Sequence, residues 1–244
     1  MRLKCLCCEA FARPIYLYAA QSPHIVDVEL FRIGLHTHPV DLRQQLQSAI
    51  NAVPADAGYD AVVLAYGLCG KATAGLTAKN APLVLPRAHD CITLFLGSRE
   101  RYTREFNRCP GTYWYALDYV ERRDGTGTAL SLGAGVDTDA PSVYEEYVEK
   151  YGRSNADYLM EVMGAWKEHY QRAAFIDLGV GDSTHVETQA RDEAERRGWT
   201  FERYEGDLVL LRRLLMGDWE SDFLVLQPDQ QVAMTHNDDV LGAI

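Results

Sequence analysis

The stretch DAVVLAYG, residues 60–67, constrains the chain more than any other. Its apolar residues follow one another without a polar break, so a strand made of them must be covered on both faces. That is the signature of a strand inside a parallel sheet rather than one lying on a wet surface. APLVLP (81–86) repeats the pattern and ends in proline, RLKCLCC (2–8) reads as a short strand, and VELFRIGLH (28–36) alternates apolar and polar residues.

Helical patterns fall between these runs. Pro39 opens PVDLRQQLQSAINAV, in which Leu42, Leu46, Ile50 and Val53 recur at helical spacing. Asp90 is a good N-cap for HDCITLFLGSRERYTREF, read as one helix. Later come the aromatic strand TYWYALDYV, the strand and glycine-rich turn AAFIDLGVGDS, and the helix THVETQARDEAERRGW, closed by Gly198. The strand TFERYEG, the helix DLVLLRRLLMG and a last strand DFLVLQP complete the series.

Such alternation predicts an α/β fold of Rossmann-like type, a mostly parallel sheet with helices on both faces. It reads either as one doubly wound sheet or as two lobes: residues 1–121, a connecting loop at 122–142 rich in Gly, Thr, Asp and Ala, and residues 143–244 beginning with two helices. A loop of that length suggests a use, as a lid or an oligomer contact.

With 24 Lys+Arg against 35 Asp+Glu the net charge is −11, a surface that repels a phosphate backbone, and no dense basic stripe offsets it. Nucleic-acid binding is therefore not expected. No apolar run approaches the length of a membrane span. The N-terminus is broken by Lys4 and Glu9 and reads as mature protein rather than a signal peptide, which predicts a cytoplasmic location.

Six cysteines in a reducing compartment predict free thiols, used for packing, metal binding or catalysis. Ligands of open parallel sheets bind beyond the carboxyl ends of the strands. Cys7 and Cys8 end the first strand, Cys69 follows DAVVLAYG in YGLCG, and His89 and Cys91 follow APLVLP. Gathered by the sheet, Cys69, Cys91 and one N-terminal thiol would supply three sulfurs to zinc, iron or an iron–sulfur cluster, with His89 or Glu9 as a fourth ligand or an orienting group. Alternation along a strand puts Cys5 and Cys7 on one face and Cys8 on the other; Cys8, nearest the mouth with Glu9, is preferred. Cys91 in the first turn of a helix could also act as a metal-free nucleophile with His89, while facing the sheet as a small core residue explains it equally well. Cys109 before Pro110 reads as structural.

Two glycine-rich turns follow strands. Gly67, Gly70 and Lys71 in GLCGKATAGL, and Gly179, Gly181, Asp182 and Ser183 in DLGVGDS, could hold a phosphate or small polar ligand; tight turns and helix capping account for them as well. His36 and His38 form an H-x-H pair that could bind metal or simply sit in a loop. Arg87 and Arg99 could hold a carboxylate or phosphate, and Tyr113, Trp114 and Tyr115 could line a pocket or pack a core.

YGLCG, HDCITLFLGSRERY, CPGTYWY and FIDLGVGD, with LHTHPVDLRQQLQSAI and YDAVVLAYGLCG toward the start, resemble the uncharacterised prokaryotic family DUF1638 (domain of unknown function 1638) over most of the chain. The resemblance brings no catalytic residues. It implies an association with anaerobic, corrinoid-dependent methyl-transfer metabolism, and hence a corrinoid or methyltransferase partner. The resulting expectation is a metal-dependent enzyme transferring a methyl or thiol group to or from a small molecule. The alternatives are a non-catalytic metal- or cofactor-handling protein for a partner enzyme, and a metal-free cysteine enzyme.

Overall fold

The computed structural model describes residues 1–122, 153, 170–235 and 239–244. Beyond Arg122, the loop expected at 122–142 lies outside those residues, as do the two helices expected after it up to residue 169; the His36 side chain is likewise not described.

The protein is a mixed α/β structure with a mostly parallel central sheet. Strands β1 (Arg2–Cys8), β2 (Ile25–Phe31), β3 (Ala61–Ala65) and β4 (Leu83–Pro86) run parallel, and β8 (Phe223–Leu226) is added antiparallel to β4, giving the order β2-β1-β3-β4-β8. A second, parallel sheet contains β5 (Thr112–Tyr115), β6 (Arg172–Asp177) and β7 (Thr200–Glu205) in that order, and β9 (Val232–Met234) and β10 (Leu241–Ala243) form a hairpin. Sheet membership crosses the sequence division at 122–142. β5 precedes it and pairs with β6, while β8 follows it and closes the first sheet.

Helix α1 (Ala12–Gln21), which the sequence reading left out, connects β1 to β2, and α2 (Pro39–Asn51) connects β2 to β3. The two crossovers travel in opposite directions across the sheet, so right-handed connections put their helices on opposite faces. Leu42, Leu46 and Ile50 of α2 are buried at the spacing read from the sequence. β3 is buried at every position, as its unbroken apolar run requires.

The segment after β4 is two helices, not the single one expected. α3 (Cys91–Leu96) and α4 (Arg99–Arg108) are separated by Gly97 in the left-handed region, φ 80°, and Ser98, which caps α4 by accepting from Arg101 N–H. A Cβ at Gly97 would lie 2.6 Å from Cβ of Asp207, so the break also makes room for the turn after β7. α5 (Leu117–Glu121) follows β5, α6 (Thr184–Arg197) ends at Gly198 with φ 69° as expected, and α7 (Val209–Met216) precedes β8.

The carboxyl ends of the second sheet turn toward those of the first. The residues after β7 hydrogen-bond to α3, with Asp207 N–H donating to Phe95 O at 2.9 Å. A Cβ on Gly181, after β6, would meet Leu117 Cδ2 at 2.8 Å and Arg13 Cδ, at the start of α1, at 3.2 Å. Ile92, Phe95, Trp114, Tyr115, Ala116, Tyr119 and Ile176 line a small apolar cavity between α3 and the second sheet with its helix α5.

Candidate thiol site at the strand ends

β1 and β3 are neighbours whose onward connections leave in opposite directions. That makes the crevice beyond their carboxyl ends the topological switch point of the sheet. Cys8 ends β1, Tyr66 and Gly67 follow β3, and Asp90 and Cys91 follow β4. The two loops after β3 and β4 are stitched together by backbone hydrogen bonds: Leu68 N–H donates to Ala88 O at 2.8 Å and Cys69 N–H to His89 O at 3.0 Å. Gly67 is where they touch. A Cβ there would lie 2.8 Å from Asp90 N and 2.9 Å from Ala88 O, both backbone atoms that cannot swing aside.

Cys69, Gly70 and Lys71 all have positive φ, 44°, 63° and 73°, and Ala72 N–H closes the turn on Cys69 O at 3.1 Å. A left-handed conformation costs an L-residue about 1–2 kcal/mol, so two of these residues are held against their preference. Such strain persists where the surroundings impose it, commonly at functional positions.

Cys8, Cys69 and Cys91 lie near enough for their charges to be felt by one another. Burial pushes the Cys91 thiol well up, and the charges of Asp90, Cys69 and Cys8 push it further. Cys69 is raised by burial and then by Cys8 and Asp90. Cys8 is raised to about 12, mainly by burial. The direction at Cys91 is opposite to the one a helix start alone would give, because desolvation outweighs the partial charge of a six-residue helix. Cys7 is turned away: its Sγ donates to Cys8 O at 3.0 Å, and its neighbours include Asp118 and Arg122. Cys5 is wholly buried.

Tyr66 is 2 % exposed, and its ring carries the hydroxyl to Cys8, with Cys7, Cys69 and Glu9 also near. The hydroxyl makes no well-directed hydrogen bond, although it lies near enough to Cys8 to favour that thiol's ionised form. Thr93 Oγ1, on α3, is the other orphaned hydroxyl of this region. Among the described residues, no group of three or more His, Cys, Asp and Glu side chains is arranged as a ready-made metal site.

The remaining candidates take other places. Glu9 accepts from Ile33 N–H at 3.3 Å while facing Cys8 and Tyr66. His89 is exposed, its ring centroid 5.8 Å from that of Tyr102, whose hydroxyl donates to the N-cap carboxylate of Asp90 at 3.1 Å. Lys71 is exposed, and its carbonyl accepts from Arg43 Nη2 at 2.6 Å. In the second turn Asp177 accepts from Gly179 N–H and Asp182 from Thr184 N–H, both at 3.0 Å; Ser183 is the N-cap of α6 but makes no side-chain cap bond. Arg87 is spent on backbone, donating to the carbonyls of Phe223 and Leu241, and so serves the C-terminal hairpin rather than an anion. Arg99 lies 3.9 Å from Asp222. β5 alternates, with Tyr113 and Tyr115 in the core of the second sheet and Trp114 in that of the first. Cys109 Sγ faces Gly111 O at 3.7 Å.

Sequence reasoning missed a clasp beside the site. Asp118, 1 % exposed, accepts from the backbone N–H of Arg13 at 2.7 Å, from the Arg13 guanidinium, and from Arg122 Nε at 3.2 Å. Arg13 also pairs with Glu121, which His185 approaches at 3.1 Å. The signal was present in YALDYV, an acid inside an aromatic and apolar stretch. Tyr66 carried no such signal, since a tyrosine ending a buried strand is ordinary until its hydroxyl is seen to lack a partner.

These features define a mixed α/β protein with buried and half-buried thiols at the switch point of its larger sheet. The chain belongs to the family described as protein of unknown function (DUF1638), whose model matches residues 30–215. That span includes Cys69, His89, Cys91 and the Gly179–Ser183 turn, and β1 with Cys8 lies before it. No curated protein and no solved structure matches the chain.

Proposed function

We propose that the first sheet is a Rossmann-like unit whose switch-point crevice holds zinc or iron on Cys8, Cys69 and Cys91, and that the protein is a small-molecule enzyme of the group-transfer class. The observation carrying this reading is the placing of three thiols beyond the ends of three adjacent strands, where Cys8 raises the cost of ionising Cys69 and both raise that of Cys91. Thiols whose charges oppose one another are unfavourable as free thiolates, and a cation of charge two would remove that penalty. The donor set suits a soft or borderline ion, and turning the three side chains toward a common point would leave one position open. The bound ion would supply Lewis acidity to a thiol, amine or alkyl-bearing substrate in that position.

The chain's own residues do the rest. The left-handed turn fixes Cys69, the Gly67 contact sets the spacing of the two loops, and Cys8 and Cys91 are 9 % and 8 % exposed, with Cys69 half-buried at the edge. The group-transfer class, methyl or thiol, rests on the family resemblance, as does a corrinoid or methyltransferase partner. The two alternatives fit less well. A metal-handling protein needs a shallow, exposed cluster, and a metal-free nucleophile needs a thiol pulled down rather than pushed up.

Purification without oxygen followed by metal analysis tests the proposal. About one zinc or iron per chain is expected, lost in Cys8→Ala, Cys69→Ala and Cys91→Ala and kept in Cys5→Ala. Substoichiometric metal in wild type and Cys69→Ala alike would overturn it.

A further inference from the structure

We draw no further inference here: the strongest candidate, the glycine turn Gly179–Ser183 at the start of α6 with Glu205 at the end of the neighbouring strand β7, rests on loop geometry and a helix N-terminus alone, with no second feature among the described residues that points to a ligand.

Discussion

The backbone N–H of Cys69 donates to the carbonyl oxygen of His89 at 3.0 Å, which makes the loop after β3 a continuation of the loop after β4. Two residues twenty positions apart in the chain are thereby locked in register beyond the end of their strands. Cys69 and Cys91 inherit their proximity from this bond, from its neighbour between Leu68 and Ala88, and from the contact at Gly67.

Gly67→Ala should be severe for that reason. The added methyl would sit 2.8 Å from Asp90 N, so the two loops must part. A loss of about 1–3 kcal/mol is expected in urea unfolding, with metal binding weakened more than stability because the thiols separate. Unfolding unchanged to within about 0.5 kcal/mol would contradict the close approach.

Cys69 offers a comparison between two small replacements. Both Cys69→Ala and Cys69→Gly delete the thiol, but only glycine adopts φ 44° without penalty. Cys69→Gly should be the more stable by about 1 kcal/mol, readable as a shift in denaturant midpoint at equal slope. Equal stability would show that the left-handed turn is not imposed on this residue.

Thr93→Val should stabilise the protein. Thr93 is fully buried on α3, with its Oγ1 unpartnered. Replacing the hydroxyl with a methyl of similar size removes an unmet polar group, for a gain of about 1 kcal/mol. A destabilised variant would mean that the hydroxyl has a partner in solution.

Asp118→Ala tests the clasp between the sheets. It leaves Arg13 and Arg122 without their shared acceptor. Both arginines are about a third exposed, so water recovers part of the loss and about 2–3 kcal/mol is expected rather than the full penalty of a buried ion pair. Calorimetry or urea unfolding measures it, and a change below about 0.5 kcal/mol would show that the pair contributes little.

Alkaline pH should unfold the metal-free protein early. Cys5 is raised to about 12 by burial, whereas an unfolded cysteine titrates near about 8.5. Between those values the unfolded chain has released its proton and the folded one has not. Stability is therefore full below about pH 8.5 and is lost as pH climbs toward the folded value, by about 1.4 kcal/mol per pH unit for each such thiol. Urea midpoints at about pH 8, 9 and 10 should fall in that order, and the slope should flatten in Cys5→Ala. A pH-independent midpoint would exclude the coupling.

How much was legible follows from how local each feature is. The strands over Arg2–Cys8, Ala61–Ala65 and Leu83–Pro86, the helix from Pro39, the Asp90 cap and the Gly198 terminus all depend on residues within a few positions of one another. Periodicity, capping and turn chemistry carry that information, so sequence alone determined them, together with the placing of cysteines at strand ends. The break at Gly97 was missed because an apolar run masked a glycine whose role lies in its contact with Asp207. Only the tertiary structure decided that β5 joins β6, that β8 runs antiparallel to β4, that the Cys7 thiol is spent on the Cys8 carbonyl, and that the Tyr66 hydroxyl has no well-directed partner. Those outcomes depend on which strand edge is open and on which groups are shut away from water. Both are properties of surfaces that form when distant segments meet, and no local pattern in the chain encodes them.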